Sequence, residues 1–359
     1  MAGRINRREW LAMGAAAATL PAGLRAAAAP PARLSLNENA FGPSPRVATA
    51  IAQATPGIER YVTAAEVGAL TRQIAALERV APEQVVIGEV LEPLGLHLAR
   101  QRAGGGGIVF SAPGYTALVD AAAPLGGRAV PVPLDDRLEN DLPALARAVD
   151  DRTLAVSLVN PHNPSGTVGD ADALHRFVAT VSRRTLVVVD EAYLEYDDLP
   201  LRSAIRHVRA GRNVLVFRTL AKIYGLAGLS IGYAVAPAAL AGGLRDAGIG
   251  APHALNRLAL AAAGAALADQ AHVATVRAAV ATERRRLTAT LDARGLRHTA
   301  SQASFVFFRS EKAAALRAAF AAAGIEIARP FAPLDDWLRI TIGRPADNDR
   351  VIAVLRTAS

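Results

Sequence analysis

Leu154-Ala155-Val156-Ser157-Leu158-Val159 is an unbroken, mostly apolar run that opens into Asn160-Pro161-His162-Asn163-Pro164-Ser165-Gly166. The same event recurs twice. Leu186-Val187-Val188-Val189 runs into Asp190-Glu191-Ala192-Tyr193, and Val214-Leu215-Val216-Phe217 into Arg218-Thr219-Leu220-Ala221-Lys222. Short apolar runs of this kind, rich in β-branched residues and bounded by turn formers, read as strands buried on both faces. Alanine-rich segments with helical spacing separate them, which is the rhythm of a parallel sheet with crossover helices. Ligands of such sheets bind at the carboxyl ends of the strands. Three successive strands ending in polar residues therefore bring Asn163, Asp190, Tyr193 and Lys222 into one crevice.

Outward from this centre the pattern continues. Val85-Val86-Ile87, Ile108-Val109-Phe110, residues 129–132 and Tyr233-Ala234-Val235-Ala236 read as further strands, with a loop over 103–107. Beyond about residue 245 the rhythm changes. Val273, Val276, Val280, Leu287 and Leu291 share one face of a long helix ending near Gly295. Strands over 305–308, 325–327 and 338–342 then surround a helix over 311–323. The expected fold class is α/β: a large domain over 51–245 with a mostly parallel sheet flanked by helices, and a smaller α+β domain over 246–359. An N-terminal arm spans 30–50.

Composition narrows the chemistry. The chain has 359 residues, with 40 basic and 32 acidic side chains, a formal charge of +8 and no cysteine. Disulfides, thiolate metal sites and cysteine nucleophiles are excluded, and the seven histidines form no metal-ligand pair of the H-E-x-x-H kind. No stretch interleaves basic with aromatic residues, so nucleic acid is not an expected partner. Only Lys222 and Lys312 are lysines; the other basic residues are arginines, which are not useful amine nucleophiles. Lys312, in Ser310-Glu311-Lys312, reads as a surface residue of a helix.

The first residues read as an address. Arg7-Arg8 precede Glu9-Trp10-Leu11, a mild Ala- and Gly-rich stretch, and small residues up to Ala29 before Pro30-Pro31. A twin arginine followed by bulky apolar residues resembles a Tat export signal. The apolar part is too short for a stable membrane anchor. Residues 1–29 are expected to be removed near Ala29, leaving a periplasmic or secreted protein.

The residues in the crevice suit pyridoxal 5'-phosphate. A lysine amine forms an imine with its aldehyde, and a buried carboxylate, Asp190, keeps the pyridine nitrogen protonated. Tyr193 and Asn163 can hold the ring's phenolic oxygen, and Tyr115, in Pro113-Gly114-Tyr115, is placed to stack on the ring. With these residues go Leu36-Asn37-Glu38-Asn39, Gly42-Pro43-Ser44-Pro45, Arg60-Tyr61, Gly225-Leu226-Ala227-Gly228-Leu229, and Arg339-Ile340-Thr341 with Gly343.

Together these motifs resemble the fold-type I, pyridoxal-phosphate-dependent class I/II aminotransferases, in the histidinol-phosphate aminotransferase group. The resemblance implies transamination between an amino acid or amino-phosphate donor and a 2-oxo acid acceptor. It implies that Lys222 is the Schiff-base lysine and proton shuttle, that Asp190 pairs with the pyridinium and that Tyr193, Asn163, Tyr115 and Thr219 complete the cofactor site. Tyr61 would reach the cofactor phosphate of a partner subunit, which implies a homodimer with shared sites. Arg339 and Arg329 would take the substrate's anionic groups, and Asn39 would lie near the substrate. Decarboxylation, C–S lysis and racemisation use the same lysine and aspartate, and a non-catalytic relative would retain the fold.

The chain departs from the family at the phosphate end. Ser230 stands where the family has a phosphate-gripping arginine, Ala221 where it has serine, Ser304 where it has asparagine, and Gly88-Glu89-Val90-Leu91-Glu92 replaces the small-residue phosphate cup. Arg218 or Arg60 could take over the arginine's role, or the cofactor could be held more loosely. A rival motif, Gly228-Leu229-Ser230-Ile231-Gly232, matches the G-x-S-x-G elbow of serine hydrolases, which requires a strand before it and a helix after it.

Overall fold

The computed structural model describes residues 31–102 and 105–357. The proposed export signal therefore lies outside the described residues. Eleven strands are described: β1 (Ala32–Leu34), β2 (Val85–Ile87), β3 (Gly107–Ala112), β4 (Arg128–Pro133), β5 (Thr153–Val159), β6 (Leu186–Asp190), β7 (Val214–Thr219), β8 (Gly232–Val235), β9 (Phe305–Arg309), β10 (Ile325–Ile327) and β11 (Trp337–Thr341). All the strands expected from apolar runs are present to within a residue or two, and β6, β7 and β9 run on into the polar positions Asp190, Arg218-Thr219 and Arg309. Those polar residues continue the ladder even though they do not continue the hydrophobic pattern.

Seven strands form one sheet in the order β2-β8-β7-β6-β5-β3-β4. Every neighbouring pair is parallel except those made by β8, which is antiparallel to both β2 and β7. Two reversals cancel, so β2 points the same way as β7, and its end at Ile87 lies on the edge where β5, β6 and β7 end. Alternate residues serve opposite faces. Val187 and Val189 of β6 belong to one apolar core, and Leu186 and Val188 to the other. This two-sided burial is why these strands read as continuous apolar runs.

The crossover helices start where the sequence supplies caps. Thr63 and Glu66 form a reciprocal capping box for the helix Ala64–Glu78. Asp170 caps Ala171–Val181 and Asn256 caps Arg257–Ala268. In the C-terminal part β9 pairs antiparallel with β11, and the long helix Gln270–Ala293 buries the five apolar residues expected on its inner face.

The arm contains an element that three residues could not announce. β1 pairs in parallel with β10, aligning Ala32 with Ile325 and Leu34 with Ile327. This pairing carries residues 35–43 across the end of the large sheet, so the arm becomes one wall of the crevice.

Candidate active site

β6 ends at Asp190, which is only 4% exposed. Its Oδ1 accepts the Ala192 amide at 2.9 Å. Burial, opposed by that hydrogen bond, pushes its pKa up to about 7, and nearby Glu89 adds to the rise. A carboxylate so poor in compensation is stabilised as an anion by any cation placed against it.

Lys222 follows β7 in a tight turn. Its Nζ donates to the Leu36 carbonyl at 3.1 Å and lies 5.8 Å from the centre of the Tyr193 ring. The turn closes through the Gly225 amide on the Lys222 carbonyl, with Gly225 at φ 73°. A Cβ on Gly225 would stand 2.7 Å from the Pro43 nitrogen, so only glycine lets the arm pass so close to the lysine turn.

Tyr193 is buried, and its hydroxyl oxygen accepts from Asn37 Nδ2 at 2.9 Å. Its own proton is therefore left to donate. Asn37 is fixed in turn by Thr341 of β11, whose hydroxyl accepts from the Asn37 backbone N–H and donates to its Oδ1. Arg339, also on β11, donates through Nη1 to Asn163 Oδ1 and through Nη2 to the Ser35 carbonyl at 2.8 Å. The guanidinium settles the orientation of the Asn163 amide, leaving Nδ2 as the donor the side chain has to offer. Arg339 lies 5.3 Å from the Phe305 ring centre and 5.0 Å from that of Phe331, and its buried Nε has no partner among the described residues. Arg329 is exposed and rests on Phe331.

Tyr115 follows β3 and is 48% exposed. Partial burial, reinforced by the charges of Asp190, Glu92 and Glu89, pushes its pKa up to about 12. Its phenol thus lies within reach of charges from β6 and from the segment after β2, at the mouth of the crevice.

The remaining expected residues are placed differently. Asn39 spends its amide on the carbonyls of Gly42 and Ile223, and its Oδ1 on the Phe41 amide, which shapes the arm. Tyr61 is 85% exposed, and no ring contact or hydrogen bond among the described residues links it to Lys222, Asp190 or Tyr193. Thr219 donates to Glu89 Oε1 at 2.9 Å. Ser230, exposed at φ 48°, lies between the one-turn helix Ala227–Leu229 and β8. This is not the strand–turn–helix setting of a hydrolase elbow.

One expectation needs correcting. Arg218 cannot replace a phosphate-gripping arginine, because it is buried and fully engaged. Its Nη1 meets Glu78 Oε1 at 2.6 Å, and its Nη2 meets Glu191 Oε2 and Ser203 Oγ, both at 2.9 Å. Tyr233 donates to the same Glu78 oxygen at 2.6 Å. A basic residue in an otherwise apolar strand demands buried carboxylates. The sequence signals that demand, but Glu78 is 140 positions away and only the fold identifies it.

This donor set fits pyridoxal phosphate at its ring. Lys222 supplies the amine, and Asp190 is a buried carboxylate short of a cation. The Tyr193 hydroxyl and the Asn163 amide converge from the β6 and β5 ends as donors for the phenolic oxygen.

The comparisons agree. The chain matches the family model for aminotransferase class I and II over residues 30–355. It is 37% identical over 329 residues to an aromatic amino acid aminotransferase of Thermobifida fusca, covering 91% of this chain and 90% of that one. It is 35% identical over 331 residues to a histidinol-phosphate aminotransferase of Limosilactobacillus fermentum, covering 90% of each. The crystal structure of histidinol-phosphate aminotransferase from Sinorhizobium meliloti in complex with pyridoxal-5'-phosphate superimposes with a TM-score of 0.82, at 32% identity and 91% coverage of both chains. The cluster around Lys222 thus sits in a chain that belongs to the class I and II aminotransferases, enzymes that depend on pyridoxal phosphate.

Proposed function

We propose that this aminotransferase moves an amino group from an α-amino acid to a 2-oxo acid, holding the carboxylate of each in turn at Arg339. The observation that carries the reading is the unpartnered Nε of Arg339. This buried donor stands in an aromatic enclosure beside Asn163, already oriented by two hydrogen bonds. A carboxylate satisfies it with a planar, charge-assisted contact. The two half-reactions share one site, so the same guanidinium serves donor and acceptor.

When bound, pyridoxal phosphate supplies the electron sink for the donor's α-carbon. Lys222 Nζ carries the proton removed from that carbon. Asp190 keeps the pyridine nitrogen protonated, and the Tyr193 hydroxyl donates to the phenolic oxygen while Asn37 holds the tyrosine in place.

The reading extends to assembly and location. Tyr61, Ile58 and Leu36 are large apolar residues left exposed, which supports a homodimer in which Tyr61 completes the partner's site. Arg7-Arg8 with Trp10-Leu11 supports export through the twin-arginine route, which would separate this enzyme from cytoplasmic phosphorylated intermediates and favours an amino acid donor.

The test is an absorbance titration of the purified protein with pyridoxal phosphate and then with amino acids in turn. Wild type develops a visible band that shifts with the true donor, and Lys222→Ala does not. A cofactor-saturated wild type without the band overturns the reading.

A further inference from the structure

We propose that Glu89 is an internal anion at the phosphate end of the cofactor site, so that this chain holds pyridoxal about as tightly as its phosphate. The inference rests on the pyridoxal reading above and concerns the half of the cofactor that reading leaves open.

The direction of the phosphate arm follows from strand order. In pyridoxal phosphate the aldehyde and the ring nitrogen lie opposite each other, and the phenolic oxygen and the phosphomethyl arm flank the aldehyde on opposite sides. Lys222 and Asp190 fix the first axis. Asn163 lies at the end of β5, on one side of β6 in the sheet, and β7, β8 and β2 lie on the other. With the phenolic oxygen toward Asn163 and Tyr193, the phosphate arm must face the ends of β7 and β2. Those ends carry Thr219, Gly88 and Glu89.

Among the described side chains of its own chain, that corner holds an anion and few free donors. The Thr219 hydroxyl has one proton and gives it to Glu89 Oε1 at 2.9 Å. The Gly88 amide donates to the Gly232 carbonyl at 2.8 Å. Ser230 supplies no charge, and Arg218 is locked between Glu78 and Glu191. Lys222 is the cation that acts on this carboxylate, and it is committed to the aldehyde. The other groups acting on this corner, Glu92, Asp190 and Tyr115, are acidic or neutral. Glu89 keeps contact with solvent beside Thr219, and partial burial of its carboxyl pushes its pKa up, partly offset by Thr219 and Lys222. A phosphate dianion entering here would meet a carboxylate and find its hydroxyl donor already taken.

Calorimetric titration of the cofactor-free protein with pyridoxal phosphate and with pyridoxal separates the two halves of the site. Wild type is expected to bind the two within about threefold of each other, and Glu89→Gln, which keeps an acceptor for Thr219 but loses the charge, to tighten the phosphate form about tenfold or more while moving pyridoxal less than about twofold. Glu92→Gln removes a more distant charge of the same helix start that has no bond to Thr219, and should move the ratio less than about threefold. The proposal is overturned if wild type already prefers the phosphate about a hundredfold, if Glu89→Gln moves both ligands equally or neither, or if Glu92→Gln does the same as Glu89→Gln. If wild type binds pyridoxal as well as its phosphate at no detectable level, the cofactor reading itself fails, and this proposal with it.

Discussion

In the proposed reaction Asp190 serves the chemistry at a cost to the folded chain. Without a cation beside it, its folded pKa of about 7 lies above the carboxylate's ordinary value. The folded state then holds the proton more tightly than the unfolded state, so stability is fully present below about pH 4 and falls as pH rises toward 7. Asp190→Asn removes that fall. The cofactor-free variant should melt a few degrees higher than wild type at pH 8 and close to wild type at pH 4, read by thermal denaturation at both values. The same change should lower kcat/KM by about a hundredfold or more, because the ring nitrogen loses its counter-charge. At Arg339, lysine keeps the charge but lacks the planar fork. Arg339→Lys should therefore raise KM for both the amino donor and the 2-oxo acceptor about tenfold or more, measured in each half-reaction separately.

At the scale of elements, the lysine turn depends on contacts from distant parts of the chain. Gly225→Ala puts a Cβ 2.7 Å from the Pro43 nitrogen at a backbone angle that disfavours side chains. It should cost about 1–3 kcal/mol in urea denaturation and weaken cofactor binding, since the arm beside Lys222 must shift. Beneath the turn, β7 is tied to the helix Ala64–Glu78 and to the end of β6 by Arg218. Arg218→Met leaves Glu78 and Glu191 buried without their partner, a loss of about 3–5 kcal/mol. The strands and the long helix were legible from periodicity, because two-sided burial and a single buried face leave a plain mark on composition. The strand β1 was not, because three residues carry no period and its reason for existing is β10, some 290 positions away.

For the whole molecule, the testable matter is whether two copies share their sites. Under the proposed dimer, Tyr61→Ala and Lys222→Ala are each impaired for different reasons. A mixed dimer carries one site with the intact lysine from one copy and the intact tyrosine from the other. Unfolding and refolding the two variants together should restore about a quarter of wild-type activity if copies pair at random. Sedimentation of the mixture would show the dimer directly. Activity no greater than the sum of the separate variants would assign Tyr61 to its own chain.

Read alone, the sequence singled out the candidate residues for the chemistry and roughly where they sit. Polar residues that interrupt buried strands are conspicuous, and the scarcity of lysine left Lys222 as the sole candidate near them. The tertiary structure decided how those residues are engaged. Asn39 reads as a substrate contact in sequence, yet its amide is spent on the arm. Arg218 reads as a spare cation, yet it is consumed by two carboxylates. Thr219 reads as a cofactor contact, and its proton is given to Glu89. Hydrogen-bond capacity is finite and is allocated by neighbours in space, which a linear chain does not display.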